Sequence, residues 1–422
     1  MPRIDLKYGR STIPFEYDES RFEVLGKSSE KPALNDVAIG ERLDEPIGSE
    51  TIEEIVGPGE SVLIVVPDAT RQTACGQIVN LVVRRLIANG TAAHDIRIIF
   101  ATGIHRKVTD AEKAVILTPF IAQRIKTLDH DPRDLMQIMR LGETARGIPI
   151  ELNRALTEHD HVIIIGGVTF HYFAGFTGGR KLICPGLASA KTISATHNLA
   201  FDCDTYSRRL GVNTGLLDGN AVHEAFMEVV ARIRPAFAID TIVNDAGEAV
   251  QVFCGDWIES HRAACDSYTA DHTIQIAGKR DVVIVSSGGY PHDINLIQAH
   301  KALEAASHAC NDGSTIIFLA ECSDGLGRGD FLHWFDASGS GALAQTLCEK
   351  YQVNGQTAWS LLKKAERFDI KMISNLSEAD LIKMRIQGFK PESLLENEEL
   401  FRKTGYIFPH GAKFSIRETS IV

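Results

Sequence analysis

Long apolar runs are missing from this chain. No stretch of its 422 residues approaches the roughly 18 that a membrane span requires, so no spanning helix is expected. The opening residues MPRIDLKYGRS carry no apolar core of the kind a secretory leader needs, and a cytoplasmic protein is the expectation. CxxC pairs are also absent: the eight cysteines stand scattered at 75, 184, 203, 254, 265, 310, 322 and 348. That scatter reads as buried or free thiols in a reducing compartment rather than a disulfide framework or a zinc site. Excess positive charge is lacking, since the net charge is −11, which argues against a nucleic-acid surface. No GxGxxG follows the first apolar strand, which weighs against a dehydrogenase using free nicotinamide. Internal repeats and low-complexity segments are absent too.

What is there belongs to the ordinary soluble globular class, with 44% hydrophobic and 23% charged residues. Short β-branched runs at 61–66, 96–100, 162–165, 282–286, 315–319 and 369–373 alternate with helical patterns such as 76–86 and 299–310. Near-continuous hydrophobicity suits strands covered on both faces, as in parallel sheets, and the βαβα order implies doubly wound α/β architecture. The fold class expected is α/β, in two α/β domains with mostly parallel sheets. Residues 3–55 read as short strands and turns that add antiparallel edge pieces. A boundary is placed in the polar stretch near 268–280. The first domain then spans 1–275 and the second 281–400, with the tail 403–422 packing back on the first.

Open α/β sheets bind ligands beyond the carboxyl ends of their strands, so the residues following each strand carry the functional information. Asp68-Ala-Thr-Arg71 follows the first run and Ala101-Thr-Gly-Ile-His105-Arg106 the second. The latter leads into Thr109-x-x-Glu112, a capping box that opens a helix. Gly166-Gly167 and a histidine-rich segment follow the third, and Gly288-Gly-Tyr-Pro291 the fourth. Each also has a plainer reading: Asp68 and Arg71 as a surface ion pair, His105 as an exposed loop histidine. Gln298 and Lys301 lie three apart and share a helix face. A lysine there, near a helix N-terminus, is electrostatically unfavourable unless an anion relieves it or it extends into water.

The densest segment is HYFAGFTGGRKLICPGLASAKTISATHN, residues 171–198. Lys181 follows Arg180 directly in a glycine-rich loop, with His171 on one side and His197 on the other. A crowded cation is easier to deprotonate, and a neutral lysine amine is a nucleophile or an attachment point. The histidines offer acid–base groups or metal ligands at neutral pH. The loop fails the Walker pattern, because Arg180 precedes Lys181 and Leu182 replaces the hydroxyl residue. Its glycines could instead cradle one phosphate, with Pro185 in the first turn of a helix over 185–200 that carries His197.

The pattern resembles the nickel-pincer lactate racemase family of 2-hydroxyacid racemases and epimerases. The matching pieces are DATR (68–71), ATGIHR (101–106), HYFAGFTGGRKLICPG (171–186), THN (196–198), GGYPHDINLIQAHK (288–301) and DGLGRG (324–329). Lys181 lies ten residues after His171, and His197 sixteen beyond that. The resemblance implies two α/β domains with an active-site cleft between them. It implies a nickel-pincer nucleotide, a pyridinium-3-thioamide-5-thiocarboxylic acid mononucleotide, covalently attached to Lys181. His197 would ligate the nickel, and His105 and His171 would be the catalytic acid/base pair. Asp68, Arg71, Gly178, Gly179, Gln298 and Lys301 would surround the cofactor. Arg71 and Lys301 would also meet the substrate carboxylate, with Phe173 and Ile297 beside the substrate. The partners implied are a small 2-hydroxy acid and the cofactor-biosynthesis enzymes, with no nucleic acid and no membrane.

The chemistry accounts for these residue types. No side chain is basic enough to remove an unactivated Cα proton, so a cofactor must carry the hard step by accepting hydride, giving a bound 2-keto acid. Two imidazoles of similar basicity then serve the two enantiomers. Three departures from the family pattern bear on the substrate: Ile297 in place of an aromatic, bulky Tyr172-Phe173 after His171, and Arg180 where a small residue is expected. They leave open a larger or more polar acid than lactate, sugar acids included. Two other readings remain, a lysine Schiff-base enzyme acting on a keto acid and a non-catalytic ligand-binding homologue.

Overall fold

The computed structural model describes residues 2–26, 31–396 and 402–419. The chain divides into two units: Glu30–Ala200 with Leu210–Ala270, and Met1–Ser29 with Phe201–Arg209 and Asp271–Val422.

In the first unit a six-stranded sheet runs in the order Ala249–Gly255, Phe237–Val243, His161–Gly167, Val62–Pro67, Ile96–Ala101, Lys126–Leu128. Only the Ala249–Gly255 strand is antiparallel to its neighbour. Val62–Pro67 reads VLIVVP and is buried at every position, as a strand covered on both faces must be. The chain winds outward from it through Ile96–Ala101 to Lys126–Leu128, then returns to its other side at His161–Gly167. That reversal is the topological switch point, where flanking loops diverge and leave a crevice.

The second unit repeats the plan. Its six-stranded sheet has the order Gln387–Gly388, Asp369–Ile373, Cys310–Leu319, Arg280–Ser286, Gly405–Phe408, Phe22–Val24, and every pairing is parallel. An antiparallel hairpin of Arg3–Tyr8 and Ser11–Glu16 belongs to this unit, as the short-strand reading of residues 3–55 expects, whereas Asp36–Asp44 and Ile52–Ile55 are helices and correct that reading.

Several expectations are corrected. The tail does not join the first unit: Gly405–Phe408 is fully buried between Arg280–Ser286 and Phe22–Val24 in the second sheet, and Ser415–Glu418 pairs with Thr273–Ile276. Gly405 suits that central place, because a Cβ there would lie 2.5 Å from the Phe22 ring and 2.6 Å from Val282 O. Residues 1–29 and 201–209 likewise fall outside the first unit, although the break at 270/271 lies inside the expected 268–280 stretch. The helix expected over 185–200 is Ala190–Asn198: Ser189 caps it by accepting the Thr192 N–H, and Pro185 lies in the preceding turns. The helix expected over 299–310 is Leu296–Ser307, capped by Asn295.

The cysteines need correction as well. Cys203 and Cys348 form a disulfide with a Cα separation of 5.6 Å, while the other six thiols are free and buried. The 201–209 segment folds as a small hairpin, Phe201–Asp202 against Ser207–Arg208. Phe201 sits edge-on to Trp359 at 5.0 Å, and Arg208 pairs with Glu304 at 2.8 Å. Those anchors bring Cys203 to the helix Ser340–Glu349, across 145 residues of sequence.

Candidate active site

Three adjacent parallel strands of the first unit present their carboxyl ends side by side, with Pro67 paired to Ala101 and Val65 to Ile164. The loops that follow carry the residues expected to act. Gly103 N donates to Gly186 O at 2.9 Å, which ties the His105 loop to the Lys181 loop, and Gly186 N donates to Lys181 O at 3.0 Å.

Asp68 follows the central strand and is buried, accepting from Thr70 N and Thr70 Oγ1 at 3.0 and 2.6 Å. Its Oδ2 lies 2.6 Å from His105 Nδ1. Burial alone would raise the Asp68 pKa, but the His105 hydrogen bond and charge, with Arg71 and Thr70, hold it down at about 2. A carboxylate that acidic is an acceptor at neutral pH, so the shared proton belongs to His105 Nδ1. In the neutral ring His105 Nε2 then carries the lone pair, on a side chain 42% exposed. Arg71 stands on the same turn through its N–H to Asp68 O, and its guanidinium forms no salt bridge among the described residues. The expected Asp68–Arg71 ion pair gives way to Asp68–His105. Arg106 is occupied by Glu112 at 2.6 Å, inside the Thr109 capping box read from the sequence.

His171 has the opposite tautomer. It is buried on the two-residue strand Phe170–His171, and Ala174 N–H donates to its Nδ1 at 3.3 Å. A nitrogen that accepts from an amide holds no proton, so the neutral ring carries its hydrogen on Nε2. His197, in the last turn of Ala190–Asn198, donates from Nδ1 to Ile193 O at 2.8 Å, which leaves Nε2 a free lone pair. Burial, with the Lys181 charge adding to it, draws His197 down to about 3 against that hydrogen bond, so the ring is neutral at physiological pH. Phe173 is the hub of the group. Its ring lies 4.4 Å from His171 and 5.1 Å from His197, and Lys181 Nζ stands 5.7 Å over it. The substrate-facing place expected for Phe173 is therefore shared with a packing role.

Lys181 lies on the short 3₁₀ turn Gly179–Leu182 and is half-buried. Of the two glycines expected to cradle a phosphate, Gly179 spends its N–H on Asp240 Oδ1 at 3.0 Å, and Gly178 is the close approach that permits it. Asp240 is a residue that sequence reasoning missed. The signal was available, because an aspartate inside FAIDTIV, an otherwise largely apolar run that forms a buried strand, has no ordinary reason to be there.

In the second unit Lys301 Nζ donates to Gln298 Oε1 at 2.7 Å, on the shared helix face that their spacing predicts. Ile297, expected beside the substrate, packs against the core of that unit. Among the described residues no group of three or more His, Cys, Asp or Glu could hold a metal ion, and no helix is long and apolar enough to cross a membrane.

Two family models match the chain, the lactate racemase N-terminal domain over residues 8–207 and the C-terminal domain over residues 276–386. The lactate racemase of Thermoanaerobacterium thermosaccharolyticum is 30% identical over 80% of this chain and 79% of its own. That of Lactiplantibacillus plantarum is 32% identical over 79% and 78%. The chain belongs to the lactate racemase family. It is thus an isomerase, with the α/β fold of its relatives. The lactate racemase apoprotein structure from T. thermosaccharolyticum superposes with a TM-score of 0.88 over 99% of this chain and 100% of that one, at 24% identity. A Thermotoga maritima protein of the same fold gives 0.71 over 92% and 100%, at 18% identity.

Proposed function

We propose that this family member racemises or epimerises a 2-hydroxy acid with a nickel-pincer pyridinium mononucleotide attached to Lys181. The donor set fits that group. His197 offers one neutral Nε2 lone pair and the described residues offer no multidentate set beside it, so a metal held here needs its remaining ligands from an organic partner. Lys181 supplies a half-buried amine over the Phe173 ring for covalent attachment. When bound, the group supplies an electron sink that accepts and returns the substrate's Cα hydride.

The chain's own residues manage the protons and the orientation. Arg71, whose guanidinium forms no salt bridge among the described residues, offers a bidentate contact to the substrate carboxylate. His105, with its proton pinned on Nδ1 by Asp68, takes the hydroxyl proton at Nε2. His171, with Nε2–H, offers a hydrogen bond from that atom to the oxygen at the substrate's Cα. The complementary tautomers carry this reading, for they provide one base and one hydrogen-bond donor without any prior proton movement. Phe173 stands against both His171 and His197, so an aromatic wall borders the site.

Protein produced together with cofactor-biosynthesis enzymes should interconvert the stereoisomers of at least one acid in a panel of 2-hydroxy acids, followed by loss of optical rotation. His105→Ala and His171→Ala should each abolish it, a loss of about 10²-fold or more. Retention of the parental rate by a variant lacking both imidazoles would refute the assignment. Nickel analysis and the mass of the Lys181 peptide separate this chemistry from a metal-free Schiff base, which borohydride and keto acid would trap instead.

A further inference from the structure

Beneath the Lys181 turn lies a buried polar cluster that this chemistry leaves unused. Arg180 is 1% exposed and Asp240 is fully buried. Arg180 Nη2 donates to Ala174 O at 2.7 Å. Its Nη1 lies 3.0 Å from His261 Nε2, which is equally close to Thr177 O and so serves one of the two at a time. Asp240 Oδ1 accepts the Gly179 N–H, while Asp240 Oδ2 and Arg180 Nε have no hydrogen-bond partner among the described residues. Burying two ionisable side chains costs several kcal/mol each, and incompletely satisfied ones more, so packing alone would favour apolar residues here.

What the cluster returns is backbone placement on both sides. Gly178 has φ +75° and ψ −175°, a region open essentially to glycine, and a Cβ there would fall 2.4 Å from Asp240 Oδ1. A Cβ on Gly179 would fall 2.5 Å from the His261 ring. The turn is thus laid on Asp240 and His261 with no side chain between, and Lys181 N–H closes it on Gly178 O at 3.1 Å. In the other direction Arg180 grips Ala174, the residue whose N–H faces His171 Nδ1.

We propose that Arg180 and Asp240 are a positioning pair: Asp240 fixes the backbone from which Lys181 projects, and Arg180 fixes Ala174 so that His171 Nδ1 stays an acceptor. The inference rests on the roles given above to Lys181 and His171. Neither residue of the pair touches substrate or cofactor in this account; each acts through a neighbour.

The test uses two readouts. In the apoprotein, ¹⁵N-histidine NMR, with the His171 signal assigned by its absence from His171→Gln, reports which ring nitrogen is protonated. In protein co-produced with the biosynthesis enzymes, mass spectrometry reports the fraction of Lys181 carrying the adduct. Arg180→Met should move the His171 signal towards a tautomer mixture, with partial rescue in Arg180→Lys. Asp240→Val should cut adduct occupancy at least tenfold, whereas Asp240→Asn, which keeps an Oδ1 acceptor, should hold it near the parental level. Parental His171 signals in Arg180→Met and parental occupancy in Asp240→Val, in proteins with the parent's far-ultraviolet spectrum, overturn the proposal. Should the valine variant not fold, Arg180→Met and Asp240→Asn decide: an unmoved His171 signal in the first, or lost occupancy in the second, overturns it. A parent without any adduct refutes the cofactor reading alone, and the His171 signal still decides the pair.

Discussion

An imidazole is a base or an acid according to which nitrogen holds its proton, and at His105 a single carboxylate makes that choice. Asp68 Oδ2 is 2.6 Å from Nδ1 and stays ionised, so Nε2 is left free to accept. Asp68→Asn keeps the shape but puts an amide there that can donate as well as accept, which frees the ring to hold its proton on Nε2. The expected outcome is a fall in kcat of about 10²-fold, the scale of general-base catalysis, with an unchanged far-ultraviolet spectrum. A rate within threefold of the parent would show that Asp68 does not set the tautomer. At this scale much of the site was legible. His105, His171, Lys181 and His197 stand out because reactive residue types follow apolar runs, where loops leave a sheet. The tautomers were not legible, since they depend on Ala174 N–H and Ile193 O, backbone atoms that carry no residue identity. Nor was the role of Arg180, which reads as a surplus charge until Asp240, 60 positions away, is brought beneath it.

At the scale of elements, the helices Leu296–Ser307 and Val353–Arg367 meet through a buried charge cluster rather than apolar side chains alone. Glu304 accepts from Lys364 and, at 3.2 Å, from Ser360 Oγ, and pairs with Arg208 of the 201–209 hairpin at 2.8 Å. Burial would raise the Glu304 pKa, yet the Lys364 and Arg208 charges hold it well below the ordinary carboxylate range. Removing one partner leaves the other as an uncompensated buried charge, which costs about 3–5 kcal/mol, whereas an apolar pair of similar volume avoids that penalty. Glu304→Leu should therefore lower the urea midpoint sharply, and adding Lys364→Met should restore most of the loss. Strictly additive losses in the double variant would count against the coupling. Strand positions were legible because a run such as VLIVVP buries at every residue. Which sheet a run joins was not: GYIF in the tail says only that both faces are covered, and a gap at Gly405 against Phe22 decides its neighbour. The Cys203–Cys348 bridge was hidden for the same reason, being set by where a short hairpin docks.

Over the whole molecule, the two units share one winding plan but differ in how much uncharged histidine they bury. His130, His197, His223 and His261 are buried in the first unit and His300 in the second, where the partly exposed His308 is drawn down as well. Burial is the main cause that draws them down, His130 to about 4, His197, His223 and His300 to about 3, and His261 well below its ordinary value. The fold keeps these rings neutral while the unfolded chain protonates them near pH 6.5, so stability is present above that pH and is lost as pH falls towards the folded values. Between about pH 7 and about pH 5.5 each ring costs about 1 kcal/mol. Asp240 opposes them: burial lifts it to about 7, so the fold gains a proton there as pH falls, worth about 1–2 kcal/mol over the same interval. Four rings against one aspartate still leave the first unit the more acid-sensitive. Its lone tryptophan, Trp257, reports on it separately from Trp334 and Trp359 in the second unit. In the apoprotein carrying Trp334→Phe and Trp359→Phe, the urea midpoint of Trp257 fluorescence should drop on acidification. With Trp257→Phe instead, the midpoint of the other two should move far less. Adding Asp240→Asn should steepen the first drop, because it removes the one group that gains from acid. A Trp257 midpoint that holds steady or rises as the pH falls would mean that these histidines are not kept neutral by the fold.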